Sequence, residues 1–135
     1  ATKLNIENKV NFTGRIPNTK LPELLQQSNF YISMPITEGV SASLFEAMAS
    51  NCYPIVTDIP GNQSWITDYE NGRLIPIDDY RMLANAILWA FENSETRNAT
   101  VLKNRKFIEE NVDFNTNMKI IANKYHDLIN TSKIK

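Results

Sequence analysis

Two glutamates, Glu38 and Glu46, are the residues of this sequence whose type and spacing best suit chemistry. Glu38 lies in a short polar turn after the apolar, β-rich segment 30–34, and Glu46 lies in the amphipathic helix that is predicted to follow. An open α/β sheet binds ligands where strands end, and a helix N-terminus offers unpaired N–H groups and a partial positive charge to an anion. A phosphate fits such a place. A carboxylate beside a bound phosphate favours the complex only if it accepts hydrogen bonds from neutral groups. We expect those groups to be sugar hydroxyls.

A simpler interpretation of the same residues stays open at this level. Ser43 and Glu46 match a capping box, in which the serine caps a helix and the glutamate hydrogen-bonds back to the serine N–H. Such boxes occur without any ligand. Glu38 likewise fits a solvated acid in a loop, so the local sequence does not choose between a binding site and a helix start.

The wider sequence resembles a known family. The segment EGVSASLFE at 38–46 is similar to the E-x7-E signature of the retaining glycosyltransferases that have two Rossmann-like domains, the GT-B fold. Other blocks are similar, in the same order, to the C-terminal, nucleotide-sugar-binding domain of those enzymes, over roughly residues 8 to 130: NFTGRI at 11–16, LPELL at 21–25, YPIVTDIPG at 53–61 and NGRLIP at 71–76.

The resemblance implies a role for each residue of the motifs. Glu46 is expected to accept hydrogen bonds from the ribose hydroxyls of the nucleotide, because a carboxylate accepts two at once. Glu38 is expected to be the catalytic residue, holding hydroxyls of the donor sugar near its anomeric carbon. The backbone expected to cradle the phosphates belongs to Gly39, Val40, Ser41, Ala42 and Ser43. The turn expected to contact the nucleobase consists of Gly14, Arg15 and Ile16.

Some positions depart from the family pattern. Ser41 stands where Gly or Pro is common, and Asn51 follows the helix where Gly is usual, although Asn also suits a left-handed helix end. The loop at Pro60-Gly61 lacks the two glycines and the later glutamate that the family often shows. The Arg and Lys that clamp the diphosphate in the family precede the first block and are not in this sequence, so we expect no catalysis by this chain alone.

The order of predicted elements favours an α/β fold. Strands alternating with helices predict a parallel sheet with right-handed crossovers. We therefore expect a Rossmann-like, three-layer domain, the C-terminal half of a GT-B fold. Its strands are predicted at 9–13, 29–34, 53–57 and 73–77. Its helices are predicted at 20–28, after Ser43, at 63–67, from the caps Asp78 and Asp79 to 92, at 95–111 and at 115–131.

Composition sets outer limits. The 135 residues fit one nucleotide-sugar-binding domain, 1–135, expected to be a fragment of a larger two-domain enzyme with a frayed tail at 131–135. A net charge of −1 lacks the excess of positive charge that is typical of nucleic-acid-binding proteins. Cys52 is the single cysteine and His126 the single histidine. They predict a cytoplasmic setting, no disulfide and no metal site, and Asp78-Asp79 is explained by helix capping.

The sequence thus predicts the donor domain of a retaining glycosyltransferase of the hexosyltransferase type, acting in polysaccharide or glycolipid biosynthesis. The expected partners are a nucleotide-sugar, whose base stays open, the N-terminal domain of the same enzyme, and an acceptor glycan or lipid. Peripheral membrane contact is expected only through that other domain, and no cofactor is expected. The alternatives are a nucleotide-sugar epimerase of the same fold and a degenerate, non-catalytic scaffold domain. A phosphorylase would need a pyridoxal-phosphate lysine that is not evident.

Overall fold

The computed structural model describes residues 1–132, which form a three-stranded sheet surrounded by helices. The strands are β1 (Phe30–Ser33), β2 (Tyr53–Thr57) and β3 (Arg73–Ile75). The α-helices are α1 (Leu21–Gln26), α2 (Ala42–Ala49), α3 (Pro60–Gln63), α4 (Tyr80–Glu92), α5 (Ser94–Asn111) and α6 (Phe114–Ser132). Single 3₁₀ turns precede them at Thr2–Leu4, Glu7–Lys9 and Asn18–Lys20.

The sheet has the order β1-β2-β3, and both pairings are parallel. In the first pairing Phe30 lies opposite Tyr53, and in the second Ile55 lies opposite Arg73. Every residue of β2 is buried, as its continuous apolar sequence predicts for a central strand covered on both faces. The predicted parallel α/β sheet is confirmed for these three strands.

Helices cover both faces of the sheet because successive side chains of β2 point to opposite sides. On one face, Tyr53 and Ile55 pack with residues of α4, among them the fully buried Ala86 and Ala90. On the other face, Val56 packs with Leu44 and Met48 of α2 and with Ile108 of α5. The three-layer architecture is therefore confirmed, with α2 anchored to the sheet through its own buried residues.

Two predicted elements are wrong. Residues 9–13 form no strand, and Phe12 is 83% exposed. Alternation alone does not make a strand, because its backbone needs a neighbouring strand to hydrogen-bond, and in the described residues β1 pairs only with β2. The helix predicted at 63–67 lies earlier, at α3, because Pro60 suits the first position of a helix.

The C-terminal helices follow the prediction closely. The Asp79 side chain accepts a hydrogen bond from the Met82 N–H (2.8 Å) and caps α4, whereas Asp78 precedes it in a left-handed conformation. Along α6 the stripe containing Ile121 and Tyr125 is exposed. Residues 131 and 132 of the predicted tail are helical, and 133–135 lie outside the described residues. Among the described helices none combines the length and the apolar content that crossing a bilayer requires.

Candidate functional site

The loop that carries Glu38 connects β1 to α2 at the carboxyl edge of the sheet. Helix α2 begins at Ala42, and Ser41 is its N-cap residue in an extended conformation. The predicted capping box is therefore wrong, because Ser43 lies inside the helix and not at its cap. The Glu46 side chain is exposed and remains available to a ligand.

Three hydroxyl groups form a hydrogen-bonded chain at the start of the helix. The Tyr31 hydroxyl of β1 lies 2.7 Å from the Ser43 hydroxyl, which lies 2.8 Å from the Ser41 hydroxyl. The Ser43 hydroxyl is thus shared between Tyr31 of the neighbouring strand and the N-cap residue Ser41. Three hydroxyls carry three protons, and the two hydrogen bonds between them use two. One of the three O–H groups therefore remains to donate a hydrogen bond to a group outside this set.

The first turn of α2 presents unpaired backbone donors. The Leu44 N–H bonds the Ser41 carbonyl (3.2 Å), whereas the N–H groups of Ala42 and Ser43 come before any bond within the helix. Leu44 is buried against the sheet. The donors therefore have a fixed direction, as an anion site at a helix N-terminus requires.

The turn after β2 lies directly against the Glu38 loop. A Cβ atom at Gly61 would lie 2.5 Å from the Glu38 carbonyl oxygen and 2.4 Å from the Gly39 carbonyl oxygen, closer than any ordinary contact. The turn is held in place by Asn62, whose buried side-chain amide donates to the Thr57 carbonyl (2.8 Å). Only glycine fits at position 61 with this loop geometry, and the Pro-Gly pair was the one signal of it in the sequence.

Glu46 lines a surface cavity of about 310 Å³ between α1 and α2. The wall of the cavity is mixed, since the apolar residues Leu21, Pro22 and Leu25 line it together with the amide residues Asn18 and Gln26. A carboxylate that lines a cavity beside apolar side chains suits a ligand with a flat, weakly polar ring and adjacent hydroxyls. A nucleoside has this chemistry.

The predicted nucleobase turn lies elsewhere. Ile16 lines a separate cavity of about 250 Å³ together with Thr13, Lys20 and Leu24, and neither Gly14 nor Arg15 lines either of the two cavities. Gly14 has φ 61, the left-handed conformation that favours glycine. The structure therefore brings Glu38, Gly39 and the start of α2 together, whereas the turn at 14–16 and Glu46 share no cavity.

One side chain outside the predicted set contacts the site, and the single cysteine is excluded from it. Tyr31 orients Ser43, and no local pattern marks it because the two residues meet only in the folded chain. Cys52 is fully buried, and burial raises the pKa of its thiol above the ordinary value. Burial therefore excludes Cys52 as a surface nucleophile.

Comparison with known proteins identifies the fold and its relatives. The chain is 32% identical over 102 residues to the GtfA subunit of the UDP-N-acetylglucosamine–peptide N-acetylglucosaminyltransferase of Limosilactobacillus reuteri, covering 70% of this chain and 19% of that protein. A TarM variant of S. aureus, crystallised with Fondaparinux, alpha-GlcNAc-glycerol and UDP, matches with a TM-score of 0.78 and 26% identity. That match covers 90% of this chain and 24% of TarM.

Sucrose-phosphate synthase from Thermosynechococcus elongatus has the same fold, with a TM-score of 0.86 at 21% identity, over 96% of this chain and 33% of that structure. The chain thus spans a quarter or less of the length of GtfA and of TarM, and a third of the synthase. The family model described as glycosyl transferases group 1 matches residues 1–107. With its parallel α/β sheet and the Glu38 loop at the carboxyl edge, the chain belongs to the glycosyl transferases group 1 family.

Proposed function

We propose that this glycosyltransferase domain binds the nucleotide-sugar donor of a retaining enzyme, which transfers the sugar to an acceptor glycan or lipid. The intact enzyme would add a second, N-terminal domain and would act in polysaccharide or glycolipid biosynthesis. The observation that carries the proposal is the position of two exposed carboxylates, Glu38 and Glu46, on either side of a helix N-terminus with unpaired donors.

Each part of a nucleotide-sugar has a counterpart in this arrangement. Glu46, which lines the cavity between α1 and α2, would accept hydrogen bonds from the ribose hydroxyls, and the base would pack against Leu21 and Pro22. The diphosphate would lie at the start of α2, where the N–H groups of Ala42 and Ser43 precede the first hydrogen bond of the helix. Glu38, on the preceding loop, would hold hydroxyls of the sugar close to the bond that breaks.

The phosphate part of the site is weak within this chain. A helix N-terminus contributes about 0.3 to 1 kcal/mol to an exposed anion, and hydrogen bonds to charged groups contribute about 1.5 to 3 kcal/mol each. A few such bonds give a dissociation constant on the order of 1 mM for a nucleotide diphosphate, which corresponds to about 4 kcal/mol. We therefore expect binding without turnover by the 135-residue chain, and no metal or cofactor is part of the proposal.

Two relatives support the nature of the donor. The GtfA relative is a subunit of an enzyme that acts with UDP-N-acetylglucosamine, and the TarM structure contains UDP. The identity of 32% to the first, over most of this chain, makes a uridine diphosphate sugar the donor to test first.

The experiment is a titration of the 15N-labelled chain with UDP, GDP and ADP, followed by backbone-amide chemical shifts. We expect UDP to shift the amides of Gly39, Ala42 and Ser43, and Glu46→Gln to raise its dissociation constant at least tenfold, since about 1.4 kcal/mol corresponds to a factor of ten. Glu92→Gln is the matched control, because Glu92 is an exposed glutamate at the end of α4.

The outcomes separate the functions. Shifts at the start of α2 that Glu46→Gln weakens at least tenfold and Glu92→Gln leaves intact support donor binding. The absence of shifts with every nucleotide at 10 mM, on the order of ten times the expected constant, contradicts it and favours a degenerate scaffold domain. The configuration of the product sugar, read by the NMR coupling of its anomeric proton, tests retention in the intact enzyme.

A further inference from the structure

A cavity that belongs to none of the predicted site residues opens at the carboxyl edge of the sheet. It measures about 300 Å³ and lies where all three strands end. Met34 follows β1, Thr57 ends β2, and Ile77 follows β3. In open α/β sheets this edge is where ligands bind. The Glu38 loop leaves from the same edge, four residues after Met34.

The charge of the cavity wall excludes a phosphate. Asp78 and Asp79 line it, and no Lys, Arg or His is among its lining residues. An anion placed there meets two carboxylates, whereas Arg81, whose guanidinium lies 6.0 Å from the centroid of the Tyr80 ring, does not line the cavity, so Coulomb repulsion opposes the anion. A nucleotide diphosphate therefore belongs at the start of α2 and not in this cavity, although both lie at the same edge.

The wall has the two surfaces that a sugar ring needs. Met34, Ile77 and Leu83 line the cavity with apolar side chains, and Tyr80, which is 73% exposed, lines it with an aromatic ring. A pyranose has apolar C–H faces that pack on such surfaces, and its hydroxyls donate hydrogen bonds to carboxylates. An exposed aromatic side chain beside a carboxylate is thus complementary to a neutral, hydroxylated ring.

The two aspartates differ in how many hydrogen bonds their carboxylates already accept. The Asp79 carboxylate already accepts from the Met82 N–H at the start of α4. Asp78 is exposed, has φ 60, and its carboxylate makes no recorded hydrogen bond within residues 1–132. Asp78 is therefore the acceptor that remains for a ligand hydroxyl. No group of three His, Cys, Asp or Glu residues that would hold a metal ion occurs in the described chain.

We propose that this cavity is a saccharide subsite, in which Tyr80 packs against a sugar ring and Asp78 accepts its hydroxyls. The proposal deepens the proposed function and rests on it, since it assigns a place to a sugar and not to the nucleotide. The ring is either that of the bound donor or that of an acceptor, and both share the same chemistry.

The test uses the 135-residue chain with 13C-labelled Met, Leu and Ile methyl groups and 15N-labelled amides. The probes are free N-acetylglucosamine, UDP and UDP-N-acetylglucosamine. We expect the monosaccharide to shift the methyl signals of Met34 and Leu83 with a dissociation constant on the order of 10 mM, typical of a small, weakly held ligand. We expect Tyr80→Ala to weaken this binding about tenfold.

Two further variants keep the result interpretable. Asp78→Asn removes the charge but suits the left-handed conformation, because Asn tolerates positive φ, so it should weaken sugar binding several-fold without unfolding the chain. Tyr125→Ala is the matched control, because Tyr125 is an exposed tyrosine on α6, outside the cavity. It should leave sugar binding unchanged.

The probes distinguish the sources of the sugar. If UDP-N-acetylglucosamine moves the methyl signals and the amides of α2 along one binding curve, the ring is that of the donor. If free N-acetylglucosamine moves the methyl signals alone, and does so equally with UDP bound, the ring is that of an acceptor. Either result supports the subsite.

Other results overturn it. Methyl signals of Met34 and Leu83 that stay still up to 200 mM monosaccharide, on the order of twenty times the expected constant, refute the subsite even when UDP still shifts the amides of α2. Shifts that Tyr80→Ala leaves unchanged, or that Ca²⁺ or UDP alone reproduces, refute it as well. Failure of UDP to bind α2, with the sugar response intact, contradicts the donor function and leaves the subsite standing.

Discussion

Replacing Gly61 with alanine gives the sharpest test of how the Glu38 loop is positioned. The added Cβ would lie 2.4 Å from the Gly39 carbonyl oxygen. Because ordinary contacts begin at 3.4 Å, the loop or the turn has to move by about 1 Å. The turn resists the movement, since Asn62 is buried and bonds both the Ile59 and the Thr57 carbonyls. We therefore expect the Glu38 loop to move.

Two magnitudes follow for Gly61→Ala. Overpacking costs about 1 to 3 kcal/mol of unfolding free energy, and the reduced entropy of the unfolded chain offsets about 0.4 to 1 kcal/mol of it. A net loss of about 0.5 to 2 kcal/mol remains. A displacement of about 1 Å at a group that positions substrate lowers a rate about 100-fold, so, under the proposed function, the loss of transfer activity in the proposed two-domain enzyme should exceed what the loss of stability explains.

Gly72→Ala is the matched control. A Cβ at Gly72 would lie 2.8 Å from both the carbonyl oxygen and the side chain of Pro54, so it is similarly crowded. Gly72 precedes β3 and lies at the opposite, amino edge of the parallel sheet. We expect this variant to lose comparable stability in urea unfolding while the amide shifts of Glu38 and Gly39 stay unchanged.

The assay pairs those amide shifts in the 135-residue chain with the transfer rate of the intact enzyme. Gly61→Ala should move the amides of Glu38 and Gly39, lower kcat and leave the folded fraction above nine-tenths at the assay temperature. Wild-type amide shifts together with a rate within twofold of wild type would refute the reasoning. An equal loss of rate in Gly72→Ala would show that stability, and not loop position, controls the rate.

Three predictions concern stability and are checked by urea unfolding. Asp68→Asn should cost about 2 to 3 kcal/mol, because it removes the counter-ion of the buried Arg73 (2.8 Å), and a further Arg73→Met change should restore part of the loss. Burial raises the pKa of Tyr53 to about 12. The unfolded chain therefore releases this proton first, so stability should fall by about 1.4 kcal/mol per pH unit between pH 10 and about pH 12, and Tyr53→Phe should abolish that part of the slope. Asn51→Gly should stabilise the fold by about 0.5 to 1 kcal/mol. Asn51 has φ 63, which favours glycine, and its buried side-chain oxygen has no hydrogen-bond partner in the described chain. A loss of stability in this variant would contradict the reasoning.

The layers of the fold follow from local patterns. The continuous apolar run of β2 predicts a strand buried on both faces, and the apolar spacing in α4 predicts the side that packs on the sheet. Asn51 could be predicted as a left-handed helix end because few residues tolerate positive φ. In each case the physical cause acts within a few neighbouring residues, so it produces a pattern that can be recognised in the sequence.

The features that the sequence did not predict arise from contacts between distant residues. Residues 9–13 have the alternation of a strand, but a strand exists only if its backbone finds a partner. Ser43 and Glu46 match a capping box, but the Tyr31 hydroxyl engages Ser43 and the helix begins two residues earlier, after Ser41. The local pattern correctly predicted a helix in this region, but its start differs by two residues and a tertiary contact accompanies the difference.

The same contact changes what the glutamate can do. In a capping box the Glu46 carboxylate would be occupied by the helix end. In the structure it lines the cavity beside α1, and the helix N-terminus keeps the donors of Ala42 and Ser43. A Tyr31→Phe substitution removes the hydroxyl that holds Ser43, so we expect Ser43 to compete for the cap and the amide shifts of Ala42 and Ser43 to change. Unchanged amide shifts in this variant would show that the helix start is set by α2 alone, and the link between β1 and the candidate phosphate site would then be lost.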